Sequence, residues 1–153
     1  MTLVSYRYTC ASCGHDFVVP GAVGYGELVA RSAGGSALLH GLDDPVYQEV
    51  RDMLTALGAY KTLRDPDRGR LTQELFAVAC DRDSDGSEFV IGAMPRCPIC
   101  GSRAMKSWSP QGALPDDAIP LLTHVGWSQL APEAKQGLLK ARLLEHPLLQ
   151  DMR

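Results

Sequence analysis

The sequence predicts an α+β fold: a small antiparallel sheet divided by a long, partly helical insertion and followed by C-terminal helices. Three observations carry this. Two Cys-x-x-Cys-Gly segments, Cys10–Gly14 and Cys97–Gly101, are each flanked by β-forming residues and separated by the 83 residues from Gly14 to Arg96. Inside that gap, Asp43-Asp44-Pro45 opens a run with apolar residues at helical spacing. Beyond the second pair, Pro132-Glu133 opens another.

Leu3–Thr9 is rich in β-formers and enters the first cysteine pair as a strand. Asp16–Val19 reads as its return, stopped by Pro20. Residues 20–36 are glycine-rich and form a linker or loop, with a short strand at Glu27–Arg31. The carboxylate-then-proline start at Asp43-Asp44-Pro45 suits a helix N-terminus. Val46, Val50, Met53, Leu54 and Leu57 supply its apolar side, and Gly58 its stop. Residues 64–70 read as a polar loop. Leu75–Cys80 reads as a strand, Asp85-Gly86 as a hairpin turn and Glu88–Ile91 as the return strand. Arg103–Trp108 leaves the second cysteine pair as a further strand. Asp116–His124 reads as a short helix, and Pro132 to about Glu145 as a longer one ended by His146-Pro147.

The organisation expected is one domain over 1–153, within the usual size range. Residues 1–20 and 93–110 are the two halves around the cysteines, 21–92 an insertion and 111–153 a helical tail. Apolar residues make up 45% and charged residues 22%, as in an ordinary globular protein. No run of about 18 apolar residues exists to cross a membrane, and the N-terminus lacks signal-peptide features, so a cytoplasmic location is expected. The net charge of −3 is uneven: the two cysteine halves carry +3, the insertion −5 and the tail −1.

Four cysteines in two pairs, with Cys80 alone, read in a reducing compartment as metal binding before disulfides. Cys10, Cys13, Cys97 and Cys100 are the expected ligands of one structural Zn2+, since four thiolates complete a tetrahedral site. Two intervening residues let both sulfurs of a pair face one ion, and the following glycine suits a left-handed corner. The same four thiolates also bind iron. Tyr6-Arg-Tyr-Thr-Cys10-Ala-Ser-Cys13-Gly14-His-Asp-Phe17 resembles the opening of FmdB-type zinc-ribbon proteins. Cys97-Pro-Ile-Cys100-Gly101-Ser-Arg-Ala-Met-Lys106 resembles the second knuckle of rubredoxins. The likeness to the zinc-ribbon superfamily spans about 6–19 and 95–108. It implies a ribbon and a metal, without a particular function.

Other features are weaker. Asp81, Asp83 and Asp85 imitate half a calcium loop, but Gly92 stands where its closing glutamate belongs. Cys80 reads as a core residue and His15 as an exposed neighbour of the first knuckle. No familiar catalytic motif is present, so no enzyme activity is expected. The leading expectation is a protein-binding module, whose acidic insertion suits a basic partner. One concrete form is an immunity protein that blocks a toxin. The alternative is a nucleic-acid-binding ribbon using Arg7, Arg96, Arg103 and Lys106 with Tyr6, Tyr8 and Trp108.

Overall fold

A computed structural model describes residues 2–23, 28–33, 35–39, 44–115 and 117–150. Glu27, Asp43 and Asp116, each included in an element expected from sequence, lie outside them. The fold is α+β, with two antiparallel three-stranded sheets. Among the described residues no helix is long and apolar enough to cross a membrane.

The first sheet has β1 (Thr2–Cys10) at its centre, between β2 (Asp16–Val23) and β6 (Met105–Ala113). Tyr8 faces Phe17 on β2 and Trp108 on β6, while Arg7 faces Val18 and Ser109. Because strand side chains alternate, the aromatic row and Arg7 occupy opposite faces of this sheet. Pro20 does not stop β2 as expected. The strand lies at the sheet edge, where a residue without an N–H is tolerated. Gly21 is required for close approach, since a Cβ there would fall 2.4 Å from Cδ2 of Tyr6.

The second sheet places β3 (Leu28–Arg31) between β4 (Ser36–Leu39) and the two-residue β5 (Val90–Ile91). The expected hairpin between Leu75–Cys80 and Glu88–Ile91 does not form. Its turn exists, with Gly86 at φ 83°, but β5 pairs with β3 instead.

Helix α1 (Pro45–Thr55) starts where expected: the Asp44 carboxylate accepts from the N–H groups of Val46 (2.8 Å) and Tyr47 (3.2 Å). Gly58 is no stop. It lacks the positive φ of a helix-ending glycine and instead begins the short α2 (Gly58–Lys61). The expected loop at 64–70 and strand at 75–80 are also corrected. Asp65–Leu75 forms α3, and Phe76–Ala79 continues as a 3-10 turn. Pro66 and the acidic pair Asp65 and Asp67 suit the first turn of a helix, so the start signal seen at Pro45 recurs here. Phe76 is fully buried, its ring edge-on to Tyr47 at 5.0 Å.

Residues 117–124 are not helical. Leu121 forms a parallel bridge to Leu38, extending the edge of β4. Helix follows at α4 (Val125–Ser128), then at α5 (Pro132–Glu145), which matches its expected span, and α6 (Pro147–Gln150).

The large core packs the second sheet against α1, α3 and α5, through Leu39, Val50, Leu54, Leu71, Phe76, Leu139 and Leu143. A separate small cluster, Tyr8, Cys10, Phe17 and Cys97, lies under the first sheet, with Met94 and Met105 packed on it. Leu3, Leu38 and Ile119 form a third cluster at the other end of β1.

Candidate metal centre

The first knuckle joins β1 to β2, and the second precedes β6. Their backbones follow one pattern. The N–H of Cys10 donates to the carbonyl of His15 (2.9 Å), and that of Gly14 to the carbonyl of Cys10 (3.0 Å). Likewise Cys97 donates to Ser102 (2.8 Å) and Gly101 to Cys97 (2.9 Å). Gly14 and Gly101 take φ of 77° and 74°, the left-handed corner expected from sequence. Two bonds tie the knuckles together: Ala11 N–H to the carbonyl of Ala104 (2.9 Å), and the Ser12 hydroxyl to that of Ser102 (2.9 Å).

All four sulfurs lie within 4.8 Å of one another. The shortest separations cross between knuckles: Cys10 to Cys100 at 3.5 Å and Cys13 to Cys97 at 3.6 Å. Metal–sulfur bonds of about 2.3 Å put the corners of a tetrahedron roughly 3.8 Å apart, close to these values. A disulfide would need roughly 2.0 Å. The four residues thus fit a single metal ion, as their spacing predicts. The first cysteine of each pair is buried and the second exposed, so the site has one side in the small cluster and one at the surface.

The thiols are unequal. Chiefly the N–H of Cys13, with help from Ser12 and the neighbouring thiols, brings Cys10 down to about 6. Cys97 is also lowered: burial opposes ionisation, but the N–H groups of Cys100 and Ile99 outweigh it. At Cys13 the N–H of His15 favours the thiolate, yet burial and the other three sulfurs push the group up to about 12. Cys100 is raised too, since Cys10 and burial outweigh the N–H of Ser102. Like charges at one point resist joint ionisation, and a bound cation turns that repulsion into attraction with release of protons.

The other residues singled out in the sequence are dispersed. Cys80 is buried in the large core and donates to the carbonyl of Phe76 at 3.4 Å; burial foremost pushes its thiol up to about 12. His15 is exposed and stacks on Phe17 at 6.5 Å between ring centres. Asp81, Asp83 and Asp85 do not converge. Asp81 accepts from Thr123, Val125 and Gly126, Asp83 from the Ser32 hydroxyl at 2.5 Å, and Asp85 from Ser87. Glu88 pairs with Arg82 (3.3 Å) and Arg142 (2.7 Å). Each of these acids has a partner within the chain, although Asp85 stays exposed.

Sequence reasoning missed Arg31. Only 7% exposed, it donates to the carbonyls of Ala93 (3.1 Å) and Pro20 (3.0 Å) and to the Ser36 hydroxyl (3.2 Å). One side chain therefore joins the second sheet to β2 and to the approach of the second knuckle. No local signal marks it, since an arginine in a short strand is ordinary until its neighbours are known.

No protein-family model, curated protein or solved structure matches this chain.

Proposed function

We propose that the chain is a non-enzymatic, zinc-stabilised protein-binding module of the ribbon type. The closed four-cysteine set carries this reading. Four thiolates complete a tetrahedral zinc site and leave no position for substrate or an activated water. Zinc is the ion this reading assigns to the site, and elemental analysis of protein purified without added metal separates it from iron. The second knuckle presents Ile99 at 69% exposure, a large apolar side chain on a loop closed by its own backbone bonds and one that a bound metal would fix further. A rigid exposed apolar residue suits partner contact better than a mobile one, since less entropy is lost on binding.

The partner surface proposed here is the knuckle tip in preference to the acidic loop, where Asp81 and Glu88 are bonded within the fold. An immunity protein that blocks a toxin remains the concrete form of this reading. Co-purification from the native host tests it: a stoichiometric partner retained by the wild type and lost on Ile99→Asp is expected. Equal retention by both would reject the knuckle as the contact surface.

A nucleic-acid reading draws on one specific observation. Trp108 is 52% exposed on edge strand β6, 6.4 Å from Tyr8 between ring centres, with exposed Lys106 two residues before it. An aromatic beside a cation is a stacking platform for single strands. Titration of mixed oligonucleotides against wild type and Trp108→Ala tests this second reading.

A further inference from the structure

Beside the second knuckle, between it and the β3–β4 end of the second sheet, lies a cleft of about 400 Å³ lined by Arg31, Arg96 and Arg103. Among the described residues, no aspartate or glutamate lines it. Among the described residues, no carboxylate pairs with any of the three arginines. Among the described residues, the acceptors of Arg31 are neutral: the carbonyls of Ala93 and Pro20 and the Ser36 hydroxyl, with the Tyr8 phenol also beside the guanidinium. Arg103 is held the same way, donating to the carbonyl of Met94 at 3.1 Å. Arg96 is exposed at the rim. The Asp83 carboxylate accepts from the hydroxyl of Ser32, a residue that lines the cleft.

Buried charges are ordinarily paired, because a charge taken from water without a counter-ion is strongly disfavoured. Here a buried guanidinium and two neighbours of the same sign surround open space. Burial, foremost, lowers both Arg31 and Arg103, and the charge of Arg96 lowers Arg103 further. An anion in the cleft would offset the burial of both.

We propose that this cleft binds a phosphate-bearing small molecule, with the phosphate held by Arg31, Arg96 and Arg103. Three guanidinium groups match the charge and the three terminal oxygens of a phosphate better than a monoanionic carboxylate. The volume falls within the roughly 300–1,000 Å³ of small-molecule pockets. Val19, Met94 and Pro98 supply apolar wall for the rest of the ligand. A nucleic-acid track fits less well, because Arg7 sits on the opposite face of the first sheet from Tyr8 and does not continue the cationic surface. The site is independent of the protein-binding reading above. A ligand here touches both the second sheet and the second knuckle, so it clamps the insertion to the metal-bearing ribbon.

The test is calorimetric titration of the metal-loaded full chain with inorganic phosphate, alongside acetate and a single-stranded oligonucleotide, in a phosphate-free buffer of constant chloride. Saturable phosphate binding at millimolar or lower concentration is expected, with acetate much weaker. Arg96→Gln, an exposed change that leaves the fold intact by circular dichroism, should weaken phosphate binding at least about tenfold, the scale of one charge-assisted contact. Lys106→Gln, outside the cleft, should leave it unchanged. No saturable response to phosphate, or an undiminished one in Arg96→Gln, overturns the proposal. Oligonucleotide binding far tighter than phosphate and weakened by Lys106→Gln overturns the small-molecule assignment in favour of nucleic acid.

Discussion

The Asp81 carboxylate accepts from the backbone N–H of Val125 at 2.8 Å, so an aspartate from the acidic loop caps a helix 44 residues away. A second bond, from the N–H of Gly126 at 3.0 Å, and a third, from the Thr123 hydroxyl at 2.6 Å, complete the cap. Helix α4 has no side-chain cap of its own, since His124 stands at its N-cap position. The charge that looked from sequence like part of a partner surface is a structural element.

Asp81→Asn should therefore cost about 1 kcal/mol of stability, the usual scale of a lost cap. The Thr123 hydroxyl, with the N–H groups of Gly126 and Val125, holds Asp81 below its ordinary value of 3.8. A carboxylate lowered on folding contributes stability that is complete above its unfolded value and disappears as pH falls through the folded one. The deficit of the variant should accordingly be present at neutral pH and shrink in acid, in urea titrations at the two pH values. A deficit independent of pH would show that the charge is not what matters.

Removing the metal should open the first sheet before the large core. The sulfurs sit in the small cluster with Tyr8 and Phe17, while Trp127 is buried in the large core and Trp108 is on β6. The two tryptophans thus report on different parts. With Trp108→Phe, Trp127 emission should stay unshifted on chelation or in Cys97→Ser. With Trp127→Phe, Trp108 emission should change in both cases. Loss of hydrogen-exchange protection should be confined first to β1, β2 and β6. A simultaneous shift at both tryptophans would instead indicate that the metal holds the whole fold.

Glu49 ties three helices together. It accepts from Lys135 on α5 at 2.7 Å and from the indole N–H of Trp127 on α4 at 3.2 Å, while Lys135 lies 5.3 Å from the Trp127 ring centre. Glu49→Ala would leave the buried indole N–H without an acceptor, so a loss of about 1–3 kcal/mol is expected in chemical denaturation. Burial raises Glu49, but the bonds from Lys135 and Trp127 outweigh it and the group is lowered overall. Its contribution is therefore also full at neutral pH and lost in acid.

Much of the candidate metal site was legible in the chain. Cys10, Cys13, Cys97 and Cys100 converge as their spacing implied, because a knuckle is closed by bonds across only four or five residues and a glycine at its corner. Helix α1 and helix α5 were legible for the same reason: Asp44, Pro45 and Pro132 act within one turn of themselves.

Leu75–Cys80 was not. A short apolar run fits a buried strand and a buried helix equally well, and packing of Phe76 against Tyr47 decided for helical turns. Nor could the chain say that Val90–Ile91 would pair with β3, or that Asp81 would cap α4. Arg31 shows the limit most directly. Its bond to Ala93 spans 62 residues, and its place in a cleft with Arg96 and Arg103 depends on β5 lying against β3. The sequence by itself determined the metal ligands, two helices and the α+β class, since capping, turn geometry and ligand spacing act over a few residues. The tertiary structure alone decided which strands pair, which charges are spent internally and which cations meet, since those follow from burial and register between distant segments.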